Sequence, residues 1–273
     1  MDIETVAKTR RSHQSTQDVS DALLHRSDAL LHVNSGRLPD SQRLPNKSGS
    51  LPVSDKHAGT MIDQRLNLYI QMMSSHPLFA LAEKGLLSRA LINEFAYLQY
   101  ADSILWVPML ALMKERVKNP RLVRALTDNI ACEAGIYGIS HIELARQFTC
   151  SLGVKDALGT LSPDVVQNAS HLTSLTEAQI AGWIFAAETL VPILFSKMRV
   201  CYQAIPGCDL RYLDEHIGID SDEHSIWMRE AINEILIEPS RVNEVLTGID
   251  FGMREAMDVP DSLYAKAMWL ARV

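Results

Sequence analysis

The chain has 273 residues, 47 % hydrophobic and 22 % charged, with a formal net charge of −7. That apolar content supports one sizeable core plus an extension. The acidic balance excludes a duplex-binding surface, which needs clustered Lys and Arg to displace counterions, so nucleic acid is not an expected partner.

Residues 1–60 carry no Phe, Trp, Tyr or Cys, and the first aromatic is Tyr69. Ser, Pro, Gln and Asn punctuate the stretch, which buries too little apolar area to offset its ordering entropy. It is expected to be a mostly disordered extension, with 61–273 as the helical domain. Within it DALLHRS (21–27) is echoed by DALLHVN (28–34). The echo allows a short helix over 18–34 whose leucine stripe either docks a partner or second subunit or packs weakly on the domain. The opening MDIETVAKTRRSHQ has no apolar run after its basic residues and does not resemble a secretory signal.

From Met61 onward helical periodicity dominates. The pattern predicts a helix over 62–73, ending before His76-Pro77 because the residue before proline resists helical geometry. Ser88 is placed to cap 89–117, with Pro108 as a kink. Asn119-Pro120 starts 121–148, and Pro163 opens DVVQNASHL (164–172). The helix 176–203 is apolar almost all round in its middle, the mark of a central buried element. Pro206-Gly207 ends it, 209–236 follows, Ser240 caps 241–257, and Pro260 opens a last helix. About seven helices joined by short breaks make an all-α bundle.

Cys132, Cys150, Cys201 and Cys208 form no CxxC pair, a pattern of reduced thiols that fits the cytoplasm. The longest apolar run, 180–195, is short for a bilayer and is interrupted by Glu188 and Pro192, so no membrane partner is expected.

Three segments carry candidate chemistry. In RYLDEHIGIDSDEHSIWM (211–228), His216, Asp220 and His224 fall within roughly 80° on one helix face. Two imidazoles and a carboxylate suit iron or manganese; the alternative is a solvated polar face, since Asp214, Glu215, Asp222 and Glu223 lie there too. Glu188 is the only ionisable residue in IAGWIFAAETLVPILF, where a lone buried carboxylate costs several kcal/mol unless it is paired, protonated or metal-bound. Glu133 and His141 differ by roughly 80° on a regular helix. Gly135 and Gly138 between them permit an unwinding that turns both inward; otherwise His141 is an ordinary core histidine. Three carboxylates and three imidazoles form the donor set of a dinuclear iron or manganese site.

No Glu-x-x-His occurs, so the set is not the ferritin-like one. HPLFALAEKGLLSRALINEFAYLQY (76–100), Asn129 before Glu133-x-Gly and His141, the lone Glu188, and His216-x3-Asp220 followed by a histidine resemble the heme-oxygenase-like di-iron oxidases and oxygenases, relatives of the TenA and PqqC folds. The likeness covers about 61–240. It implies a heme-oxygenase-like bundle without heme, and ligation of two ferrous ions by Glu133, His141, Glu188, His216, Asp220 and His224, with Glu188 the bridge and the central catalytic residue; manganese is the alternative metal. It further implies a dioxygen-dependent oxidoreductase acting on a small amine or amino-acid-like substrate in specialised-metabolite biosynthesis, and it is compatible with a homodimer.

Two departures stand out. The last histidine of the family's pattern follows the aspartate by three positions, whereas Ser221, Asp222 and Glu223 intervene here, which asks for a helix bulge or for ligation by Asp222. A further carboxylate used by some members would correspond to Asp102, or failing that Glu94. Tyr97, Trp106, Tyr137, Trp183 and Phe185 are pocket candidates or plain core. The rival functions are a metal-independent enzyme of the same fold using His and Glu as acids and bases, and a non-catalytic helical interaction protein.

Overall fold

A computed structural model describes residues 53–136, 138–154, 174–219 and 224–271. The 21–34 echo, the 164–172 segment, Tyr137, Asp220 and Asp222 lie outside the described residues. Among those described the chain is all-α, with nine helices, one 3₁₀ turn and no strand.

The first helix, α1 (Val53–Ser74), begins well before residue 62. Its buried stripe reaches back through Leu66 and Ile62 to Ala58, one turn per step, so packing draws more of the chain into the helix than its polar composition suggests. His76 ends the break after α1 by capping α2 (Pro77–Glu83): its Nδ1 accepts the Leu78 amide at 3.2 Å. Ser88 caps α3 (Arg89–Lys114) as expected, and Pro108 sits inside that helix.

One of the expected long helices is broken. Residues 121–148 divide into α4 (Pro120–Glu133) and α5 (His141–Ser151). Gly135 takes a φ of 75° in the turn between them, where a Cβ would stand 2.4 Å from the Ser140 nitrogen, so only glycine fits. Of residues 209–236 the described parts are α7 (Arg211–Ile219) and α8 (Ser225–Ile235), with His224 at the threshold of α8.

One expected break is missing. After a 3₁₀ turn, Pro239–Arg241, a single helix α9 runs from Val242 to Leu270 with Pro260 inside it. Ser240 belongs to that turn and caps nothing. Pro260 is buried, and its packing sustains the helix across the lost backbone bond.

The hub is α6 (Glu177–Gln203), opened by a Thr176–Gln179 capping box. By length and composition it could cross a bilayer, but 72 % of its most apolar window is buried in the bundle, where it touches α1, α2, α3, α7, α8 and above all α9. Glycines let the α6 and α9 backbones meet: a Cβ on Gly182 would lie 2.1 Å from Val245 O, and one on Gly248 2.1 Å from Gln179 O. This clamp fixes α6, and so places Glu188 at the bundle's centre.

Candidate metal centre

The inward face of α4 presents Asn129, Cys132 and Glu133, spaced i, i+3, i+4 and therefore side by side. The Gly135 turn reverses the chain so that α5 begins with His141, and His141 Nδ1 meets Glu133 Oε2 at 2.8 Å. Both are almost fully buried, at 2 % and 4 % exposure. His216, from α7, stacks beside His141 with ring centroids 4.4 Å apart. One ligand atom from each of Glu133, His141 and His216 lies within 4.8 Å of the others.

His216 Nδ1 donates to the Tyr212 carbonyl one turn earlier, at 2.9 Å, which leaves Nε2 as the lone-pair nitrogen. Burial and the neighbouring charge of His141 lower its pKa to about 4, so at neutral pH it is an uncharged donor. Burial pushes the Glu133 carboxyl up, but the charge and hydrogen bond of His141 outweigh it and hold the group below its ordinary value.

A second group adjoins the first. Glu188 Oε1 accepts from Asn129 Nδ2 at 2.6 Å, and Glu188 Oε2 meets His224 Nδ1 at 3.2 Å. The thiol of Cys132 joins the groups by hydrogen bonds to both His141 and His224; burial raises its pKa, yet those bonds leave it below the usual thiol value. The sequence reading treated Cys132 only as a reduced thiol. The available signal was its place three residues after Asn129 and one before Glu133, on the same inward face.

Thus five of the six expected ligands, Glu133, His141, Glu188, His216 and His224, converge from α4, α5, α6, α7 and the start of α8. The sixth, Asp220, and its alternative Asp222 lie outside the described residues. Glu94 pairs with Lys266, away from the cluster, whereas Asp102 lines the same cavity as Glu133, Glu188 and His216 and its charge is felt at Glu255. The short helix after Gly135 explains why Glu133 and His141 meet despite their angular offset on a regular helix.

The donor set fits a transition-metal ion. Neutral imidazoles and carboxylates are iron, manganese or zinc ligands, and protons shared within the Glu133–His141 and Glu188–His224 pairs are what a divalent cation displaces on binding. Glu133, Glu188 and His216 line a cavity of about 520 Å³. Trp106 and Trp183 also line it, whereas Tyr97 does not and Phe185 packs beneath the Arg229 guanidinium.

A model of the iron-containing redox enzyme family matches residues 93–256, the span from α3 into α9 that holds every residue of this cluster. The chain belongs to that family. A CADD-like protein of unknown function from Nostoc punctiforme shares the fold, with 21 % identity and a TM-score of 0.61 over 79 % of this chain and 99 % of that one. A second structure of that protein aligns at 19 % identity and TM-score 0.60, over 80 % and 97 % of the two chains. A domain of unknown function with a heme oxygenase-like fold from Shewanella denitrificans aligns at 15 % identity and TM-score 0.60, covering 82 % and 96 %. The architecture of this family member is therefore heme oxygenase-like. No functionally curated protein matches the chain.

Proposed function

We propose that the protein is a non-heme di-iron oxidase that uses dioxygen to oxidise a small amine or amino-acid-like substrate. The observation that carries this is the convergence of five buried candidate ligands, three of which, Glu133, Glu188 and His216, line a cavity of substrate size, about 520 Å³. Glu133, His141 and His216 would hold one ion, and Glu188 with His224 a second. Glu188 engages a different partner with each oxygen, Asn129 with one and His224 with the other.

Iron held there supplies the redox chemistry with dioxygen. The protein's own tasks are visible in the side chains. The Tyr212 carbonyl fixes the tautomer and direction of His216, Asn129 orients Glu188, and Phe195 and Tyr212 pack against the His216 ring, at 5.2 and 4.5 Å between centroids, to keep water from that side. Among the described residues the four cysteines form no disulfide, which suits the reducing cytoplasm we assign.

Anaerobic titration with ferrous iron, followed by rapid mixing with air, tests the proposal. Two irons per chain and a transient visible absorption band are expected. The two buried carboxylate–imidazole pairs also suit metal-free acid–base catalysis. Absence of iron binding, with turnover that survives chelation, would replace the oxidase with that reading.

A further inference from the structure

The cavity has a second chemical feature away from the metal ligands. Its α3 and α9 walls carry Asp102 and Glu255, close enough for the Asp102 charge to be felt at Glu255. Asp102 is accessible through the cavity, yet protein surrounds it so densely that burial lifts its pKa to about 7. Among the described residues no side-chain hydrogen bond or ion pair contributes to that shift. Glu255 accepts from Trp183 Nε1 at 2.5 Å, and burial with the Asp102 charge likewise raises it to about 7.

Trp183 in turn packs against Trp106, with ring centroids 5.3 Å apart, so two indoles flank the acid pair. Among the described residues no lysine or arginine lines the cavity. Arg254, the cation next in chain to Glu255, stacks over Phe251 and donates to the Asp250 carbonyl. Two like-charged carboxyls in a low-dielectric wall repel one another, and each costs free energy to ionise. A ligand cation between them relieves both penalties, and indole faces add cation–π attraction.

We propose that Asp102 and Glu255, with Trp106 and Trp183, form the recognition subsite for the ammonium group of an alkylamine substrate, placing its carbon chain toward Glu133, Glu188 and His216. This rests on the oxidase reading for its purpose and narrows it: Asp102 and Glu255 favour an ammonium group over a carboxylate at this part of the cavity wall, so the substrate is an amine.

The test is calorimetric titration of the full-length protein at pH 8, as purified and again after iron loading, with hexylammonium, 1-hexanol and hexanoate. Hexylammonium is expected to bind at least tenfold more tightly than either of the others. Asp102→Asn and Glu255→Gln should each remove at least tenfold of that affinity while circular dichroism and thermal midpoint stay native-like. Equal affinity for hexylammonium and 1-hexanol, or undiminished ammonium binding by a folded Asp102→Asn protein, would overturn the subsite. Selective ammonium binding without an iron-dependent reaction would sink the oxidase reading alone; an iron-dependent reaction with dioxygen but no ammonium selectivity would sink the subsite alone.

Discussion

Asn129 on α4 donates its side-chain amide to Glu188 on α6, 2.6 Å away. The bond joins two helices at the middle of the bundle and sets which way the central carboxylate faces. Asn129→Ala should leave Glu188 one partner short and weaken iron binding by about 10–100-fold, the usual effect of deleting a residue that orients a metal ligand. Iron titration followed by stoichiometry checks this; unchanged affinity would remove Asn129 from the centre.

His216→Ala takes away the neutral imidazole aimed by the Tyr212 carbonyl. Iron bound after gel filtration should fall to about one per chain or less, with the thermal midpoint of the metal-free protein changed far less than the iron content. Glu188→Ala should act on both metal positions if it bridges, so its iron loss is expected to exceed that of His216→Ala.

Gly248→Ala drives a Cβ to 2.1 Å from the Gln179 carbonyl oxygen, a backbone atom with no rotamer to yield. The α6–α9 clamp must open, at a cost of about 1–3 kcal/mol or more, the range for overpacked cores. Urea unfolding would show a lower midpoint. Since the shift displaces α6, iron affinity should fall with it.

Asp102 has a folded pKa of about 7 against 3.8 for the ordinary group. An acid raised in the fold holds its proton more tightly there than in the unfolded chain. Its contribution to stability is complete below about 3.8 and is lost as pH rises to about 7. Asp102→Asn should therefore gain thermal stability relative to the parent as pH climbs through that window, then hold a constant difference above it. His216 works in the opposite sense: lowered from 6.5 to about 4, it costs stability as pH falls between those values. Because His216 is common to both proteins, the difference curve isolates Asp102. A flat difference from pH 4 to 8 would show that the carboxyl titrates normally.

The helical class, the central place of 176–203 and the ligand types were legible in the chain because they follow from local rules. A 3.6-residue apolar period, proline and cap positions, and a single carboxylate in an apolar run each report on their own helix. That locality also explains the misplaced breaks. Gly135 divides a helix that looks continuous, and Pro260 fails to divide one that looks interrupted; in both cases neighbouring helices, absent from a local pattern, determine whether the backbone bonds or the packing win.

The sequence by itself determined that Glu188, alone in an apolar helix, needed a partner and offered His216 and His224 for it, since an apolar run predicts burial and a buried charge is costly unless paired. Only the tertiary structure decided that Glu188 pairs with Asn129 and His224, that Cys132 lies between the two histidines, and that Asp102 and Glu255 line one cavity. These are distances between helices far apart in the chain, set by how closely Gly182 and Gly248 let α6 and α9 approach, and no single helix contains that information.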